Sequence, residues 1–435
     1  MGPEARAAEY SPAMVLGRAL ATAAVLVAAW RVPPMQARNT EQQAAPVQAP
    51  AQAPLPPPPS PVPPSPAAPV ASQAADFTAQ VRTLVRIATC APDAELPRHL
   101  EARVVEQHCK LFSGLHTRWQ TKWLTRARPF LDEMVPADLP QQVVYPFGGG
   151  DLLTALVVFP KSTEITTISL EPAGDPRAVD VLTPADLPGT LLIVRKMINH
   201  IFEIGHSKTT DMSKMAKSLV PGDLTYSIVA LSLLGHEVVG ARYFRLNADG
   251  SLAYLTHDEV AGLPPPTPGK LGPGAGPSGR RSAFANVELV FRARGGGPLR
   301  TFRHICANLD DTHMNADGAV LRHLEAKGPV AAMTKAASYL LWWKEFGKIR
   351  DYLLGNMVWM VSDSTGIPPD EARAAGFEQV PFGKFKGPFL GGGRRPAEVF
   401  RQLWADEAKP LAFRFGYPDS DGQDHLLITR RATVK

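Results

Sequence analysis

A chain of 435 residues with 46 Lys and Arg against 41 Asp and Glu, a net +5, is only mildly basic for its size. No dense Lys/Arg stripe with interleaved aromatics is present, so nucleic acid is not an expected partner; the charge reads as ordinary solubility or as weak attraction to anionic envelope polymers. Apolar residues at 45% suffice for a large core, while the 43 prolines and 35 glycines cluster in segments outside it.

In chain order the first element is leader-like. Arg18, the apolar run Ala19 to Trp30 and Arg31 follow the plan of a signal peptide. That run of twelve is too short to span a bilayer, which takes roughly 20 apolar residues. Ala28 and Ala29 offer a small-residue cleavage site, and Met14 would open a more conventional leader than Met1. Residues 1–37 are therefore expected to be a cleaved signal or a short anchor, and the protein to be exported to the periplasm or cell surface. Membrane contact is expected only through this segment, if it stays uncleaved. Residues 38–75, culminating in "PLPPPPSPVPPSPAAP", are a Pro/Ala-rich stretch that buries no core. As a disordered linker at about 3.1 Å per residue, it reaches on the order of 100 Å.

From Asp76 the pattern turns globular, and residues 76–435 are expected to form a single domain. Residues 76–135 show apolar positions at helical spacing, a helical N-terminal lobe. Trp119 and Trp123, four apart on one helix face, read as core packing ahead of a sugar-stacking pair. Cys90 and Cys109 enclose 18 residues and are expected to pair in an oxidising compartment, which leaves Cys306 as a buried thiol.

Next come a strand, "VVYPF", the turn Gly148-Gly149-Gly150, a helix from Asp151, and a strand running to Glu171: a βαβ unit. "TLLIVRKMINHIFEIG" is helical. The run from Tyr226 to Leu255 reads as strands closing on the Asp249-Gly250 turn, a hairpin signal. Residues 264–281 are a Pro/Gly loop expected to be disordered. A second hairpin follows, with Gly295 to Gly297 at its tip. The run from Val320 to Met357 is read as helical, and "HLLITRR" as a last strand. The expected fold class is α/β: a mixed sheet with an N-terminal βαβ (Rossmann-like) crossover, an antiparallel hairpin extension and a helical N-terminal lobe.

Four constellations could carry chemistry. Around the glycine turn, Glu171 stands 21 residues after Gly150, where a nucleotide- or adenosyl-binding crossover places its ribose acid, and Gly149 would lend backbone N–H groups. Against this, Leu153 occupies the third glycine position of G-x-G-x-x-G, and Asp151 at the helix cap would repel phosphate. "VSDSTGIPPD" holds Asp363 in a tight turn, but lacks the doubled Asp-Thr/Ser-Gly of an aspartic protease. Asp151, Glu171 and Asp363 are the candidate acid–base carboxylates, since two carboxylates in one cleft are the minimal kit for glycosidic hydrolysis. Among the histidines, His200 and His206 share no helix face and His236-Glu237 lacks the second His of HExxH. "DDTHMNADG" puts Leu324 at the twelfth loop position, which excludes an EF-hand. No metal or cofactor is therefore expected. Finally, Ala336, Tyr339, Trp343 and Phe346 fall on one face of an expected buried helix that carries Lys335 and Arg350 as candidate ligand contacts, with Tyr145 beside Asp151.

The succession "YPFGGGD", "LEPAG", "KAASYLL", "SDSTGIP" and "FGY" resembles a family of exported, uncharacterised bacterial proteins, many with lipoprotein-type leaders. The resemblance covers Val143 to Tyr417. It implies export and a shared scaffold but no activity, so the expected partner is an envelope ligand or protein of unassigned identity. Asp151, Glu171, Lys335 and Asp363 match the family pattern. Gly148 stands where relatives have Ser, and Ser364 where they have a second Asp. Three readings follow: a protein binding a ligand or partner in a carboxylate-lined cleft, a hydrolase of envelope polymers, or a nucleotide- or adenosyl-binding enzyme.

Overall fold

The computed structural model describes residues 73–435 apart from 93, 205–219, 267–281, 364, 386–393, 417–423 and 433–435, all within one compact unit spanning 69–435. The leader, most of the Pro/Ala-rich linker, His206, Ser364 and most of the 264–281 loop lie outside the described residues.

The fold is α/β, organised on a ten-stranded mixed sheet among the described residues. Its centre is five parallel strands: β1 (Gln142–Pro146), β2 (Glu164–Ser169), β6 (Arg300–Cys306), β7 (Val330–Thr334) and β8 (Met357–Ser362). They lie in the order β6-β2-β1-β7-β8. Numbered by their own succession this is 3-2-1-4-5, the order of doubly wound dinucleotide-binding sheets. One flank is extended by the antiparallel strands β5 (Asn286–Ala293), β3 (His236–Leu246) and β4 (Leu252–Tyr254). On the other flank β10 (His425–Arg431) runs antiparallel between β8 and β9 (Phe377–Gly383).

Period-2 alternation in the strands feeds two cores, one on each face. Val143 and Tyr145 join one, and Val144 the other. The first face carries α1 (Thr78–Thr89), α2 (Ala102–Trp119), α3 (Thr125–Met134), α4 (Leu152–Val158), α5 (Leu187–Ile204) and α6 (Gly222–Leu233). The short α7 (His257–Ala261) follows β4. The second face carries α8 (Asp311–Ala316), α9 (Ala319–Glu325), α10 (Gly347–Asn356) and α11 (Pro369–Ala374), while α12 (Arg394–Glu407) packs against β9. The N-terminal helices thus form a layer on the sheet. In α1, Val81, Leu84, Val85 and Ala88 give the buried stripe at i, i+3, i+4, i+7. The helix ends at Cys90, which adopts φ +65 and pairs with Cys109, Cα to Cα 5.7 Å. Trp119 stacks between Trp123 and Phe202 with centroids at 5.7 and 5.5 Å, as core packing.

Two elements depart from the sequence reading. The strand reading from Tyr226 is corrected: Gly222–Leu233 is the helix α6. Residues 223–231 are buried throughout, so no amphipathic period marks them. The continuous helix read from Val320 to Met357 is also corrected. Gly328 at φ +67 ends α9, and "VAAMT" forms the fully buried central strand β7. Beyond β7, Ser338–Trp342 and Lys344–Phe346 are 3₁₀ turns, so Trp343 leaves the core and is 43% exposed.

Candidate functional site

The chain after β1 continues on the first face (α4) and the chain after β7 on the second (α10), which makes the carboxyl ends of these adjacent strands the topological switch point of the sheet. Asp151, Glu171, Lys335 and Asp363 all lie on the segments that leave the carboxyl ends of β1, β2, β7 and β8.

Asp151 caps α4 and is 1% exposed. Its Oδ1 accepts from the Thr154 hydroxyl at 2.8 Å and from the Thr154 N–H at 3.4 Å. Its Oδ2 accepts from the Tyr145 hydroxyl at 3.0 Å and from Lys335 Nζ at 2.9 Å. Lys335, also 1% exposed, donates further to Thr154 Oγ1 at 2.8 Å and sits over the Phe415 ring, 5.0 Å from its centroid. Burial, and then Asp151, push the Tyr145 phenol well above its ordinary value. Tyr145, Asp151, Thr154 and Lys335 therefore form one closed network that joins β1, α4 and the β7 end.

Asp363 is a second closed centre. Its Oδ2 accepts from the Ala336 N–H at 2.7 Å and its Oδ1 from the Ser338 hydroxyl at 2.6 Å, which fastens the end of β8 to the turn after β7. Gly416, at φ +79, packs directly on this carboxylate and closes over it.

The glycine turn is filled by tyrosine. A Cβ on Gly150 would stand 2.7 Å from the Tyr226 ring of α6, and one on Gly148 would stand 2.8 Å from the Tyr145 ring. Gly149 supplies the positive φ (+49) that the turn requires. The helix it opens has only seven residues, and its first-turn N–H of Thr154 is taken by Asp151. The turn is built for packing.

Glu171 differs from both aspartates. It is 6% exposed, yet its Oε1 is buried without any protein hydrogen-bond partner. Two residues that the sequence reading passed over surround it. His304 on β6 donates through Nε2 to the Glu171 backbone carbonyl at 2.7 Å. Asp223 in the first turn of α6 is fully buried, with Oδ2 3.3 Å from His304 Nδ1 and Oδ1 unpartnered. The Leu224 N–H donates to the Ala173 carbonyl at 3.1 Å, which holds the start of α6 against the loop after Glu171. Burial, and then Glu171, push Asp223 well above the carboxylate range, and burial lowers His304 to about 4. The one sequence signal was Pro221-Gly222-Asp223, a helix-start pattern just ahead of the run read as strand from Tyr226.

Arg350 stands apart from these groups. Its guanidinium donates to the Leu341 carbonyl at 2.9 Å and the Trp343 carbonyl at 3.3 Å and pairs with Glu371, fastening α10 to α11 and the 3₁₀ turn. The rim of the strand edge is partly apolar, with Leu170 38% and Trp343 43% exposed. Three cavities lie elsewhere: about 920 Å³ beside Trp404 and Arg401, about 340 Å³ beside the disulfide and His116, and about 180 Å³ near Pro136. Among the described residues no group of His, Cys, Asp or Glu is arranged to hold a metal ion. None of their helices is long and apolar enough to cross a membrane.

No family model, no curated protein and no solved structure matches this chain.

Proposed function

We propose that this is an exported protein that binds a small ligand at the carboxyl edge of its parallel strands, beside the switch point between β1 and β7. The observation that carries the reading is Glu171. On the loop leaving β2, at the edge where doubly wound sheets take their ligands, it holds a buried carboxylate oxygen that no protein donor satisfies. The exposed Leu170 and Trp343 supply apolar surface on the same edge. Export draws support from the leader-like run and from the Cys90–Cys109 disulfide, a bond that persists in oxidising compartments.

A nucleotide- or adenosyl-bearing ligand is the second reading, favoured by the 3-2-1-4-5 strand order with an acidic residue closing the second strand. A hydrolase of envelope polymers draws less support. Asp151 and Asp363 each have both oxygens engaged by protein donors, so neither is poised as a general base.

Thermal-shift screening against nucleosides, sugars, amino acids and aromatic acids, followed by hydrogen exchange with each stabilising compound, tests the reading. Protection is expected in residues 147–151, 170–174 and 335–343. Protection confined to other segments would overturn it.

A further inference from the structure

The chain carries no dense run of Lys and Arg, yet α2 and α3 line up cations that the sequence spaces apart. Arg118, Lys122 and Arg126 succeed one another at i, i+4 spacing and all are exposed. A regular helix rotates residues four apart by about 40°, so such a row would wind around the surface. Here the π turn Gln120–Leu124 joins α2 to α3. Its i→i+5 bonding takes more residues per turn and cancels most of that rotation. The three side chains therefore leave one face at intervals of about 6 Å, from the rise of about 1.5 Å per residue.

The row is uncompensated. Among the described residues none of these three side chains has a carboxylate or hydrogen-bond partner. No Asp or Glu occurs between Glu106 and Asp132. Like charges four apart weaken a helix, and an interleaved acid is the ordinary remedy. Helix α5, which packs on α2, adds Arg195 and Lys196, and its one acid, Glu203, makes no ion pair with the row. Leu111, two turns before Arg118 on the same face, is 52% exposed. The nearby indoles do not join this surface. Trp119 is buried, and the half-buried Trp123 donates its N–H to the Arg414 carbonyl at 2.7 Å.

We infer that this face of α2 and α3 docks on an anionic lipid bilayer, with the cations over headgroup phosphates and Leu111 entering the interface. Each cation near such a surface adds attraction, and an exposed leucine gains only where there is hydrocarbon to enter. A linear polyanion would match the cations but leave Leu111 in water. A single-stranded nucleic acid binds through rings on which its bases stack, and this row offers none. The inference uses none of the strand-edge residues and stands independently of the ligand reading above.

The test is co-sedimentation of the full chain with vesicles of phosphatidylcholine alone and of phosphatidylcholine mixed with phosphatidylglycerol, at low salt. Any contribution of the leader-like run is common to both, so the readout is the excess affinity for the anionic vesicles. That excess is expected to be about 100-fold and to shrink as salt rises. The triple variant Arg118→Gln, Lys122→Gln, Arg126→Gln is expected to lose nearly all of it. It should unfold in urea at an equal or higher midpoint, because it relieves repulsion along the helix, so lost binding is not lost fold. A control with Lys161→Gln, Arg245→Gln and Arg373→Gln, which removes the same charge from other exposed positions, should stay within about twofold of wild type. Leu111→Ser should weaken binding to the anionic vesicles by about fivefold and leave binding to soluble polyglutamate unchanged. Equal affinity for the two vesicle types overturns the inference, as does an equal loss in the control variant or an unchanged Leu111→Ser. Tighter binding to polyglutamate or to oligodeoxythymidylate than to the anionic vesicles also overturns it.

Discussion

Lys335→Met is the substitution that asks most of this structure. The Lys335 ammonium and the Asp151 carboxylate are each 1% exposed and 2.9 Å apart, so the methionine would strand a carboxylate in the core. Removing one member of a buried pair typically costs about 3–5 kcal/mol. Asp151 keeps the Tyr145 hydroxyl and the Thr154 hydroxyl and N–H, so the lower end is expected, about 3 kcal/mol. Asp151→Leu strands the ammonium with only Thr154 Oγ1 and the Phe415 face, and should cost about 4–5 kcal/mol. The double variant removes both charges and should be more stable than the sum of the singles by about 2–3 kcal/mol. Urea unfolding of the four proteins at pH 7.5, with unchanged slopes, measures the cycle. If Lys335→Met costs under about 1 kcal/mol, or the singles simply add, Lys335 is not held in a closed network. It would then return as a ligand-binding group.

The remaining predictions concern acid sensitivity, the disulfide and the glycine turn. His108 accepts from Arg195 at 3.0 Å and donates to the Ala88 carbonyl at 2.8 Å, and burial lowers it from 6.5 to about 4. The unfolded chain therefore takes up this proton first as pH falls, and stability drains between about 6.5 and 4, by about 2 kcal/mol at pH 5. His108→Gln should flatten that part of the pH–stability curve, and an unchanged curve would contradict the burial argument. The His304–Asp223 pair contributes opposed effects: His304 loses stability as pH falls below 6.5, whereas the raised Asp223 loses it as pH rises above 3.8. Replacing Cys90 and Cys109 by serine, a separation of 19 residues, should lower stability by about 3 kcal/mol in urea. An equal midpoint for wild type and the double serine variant would refute it. Gly150→Ala drives a methyl into the Tyr226 ring and should cost about 1–3 kcal/mol by the same assay.

How much of this was legible in the sequence differs from element to element. The β1–α4–β2 crossover announced itself because a fully apolar strand, a glycine turn and a capping Asp151 are local signals. The Asp249-Gly250 turn is local in the same way and closes β3 onto β4. Strand β7 was hidden because a strand buried on both faces shows no alternation, and Val330–Thr334 shares its alanines with helix formers on either side. Helix α6 was hidden by the mirror-image effect, since a helix apolar all round has no stripe. Asp223 lies just ahead of the misread run and becomes meaningful only when α6 sets it beside His304 on β6. Asp151, Glu171 and Asp363 were found because each stands beside a local turn or cap signal, whereas Lys335 was found as a polar residue in a run read as a buried helix. Which of them is engaged and which keeps an unpartnered oxygen depends on tertiary neighbours that no spacing encodes.

The most direct test is a crystal structure of the chain with the compound that stabilises it most in the thermal-shift screen. The ligand is expected at the carboxyl edge of β2, beside Glu171. A ligand seated instead in the cavity of about 340 Å³ beside Cys90 and Cys109, or a lone water bridging Glu171 and Asp223 with the ligand bound elsewhere, would contradict it.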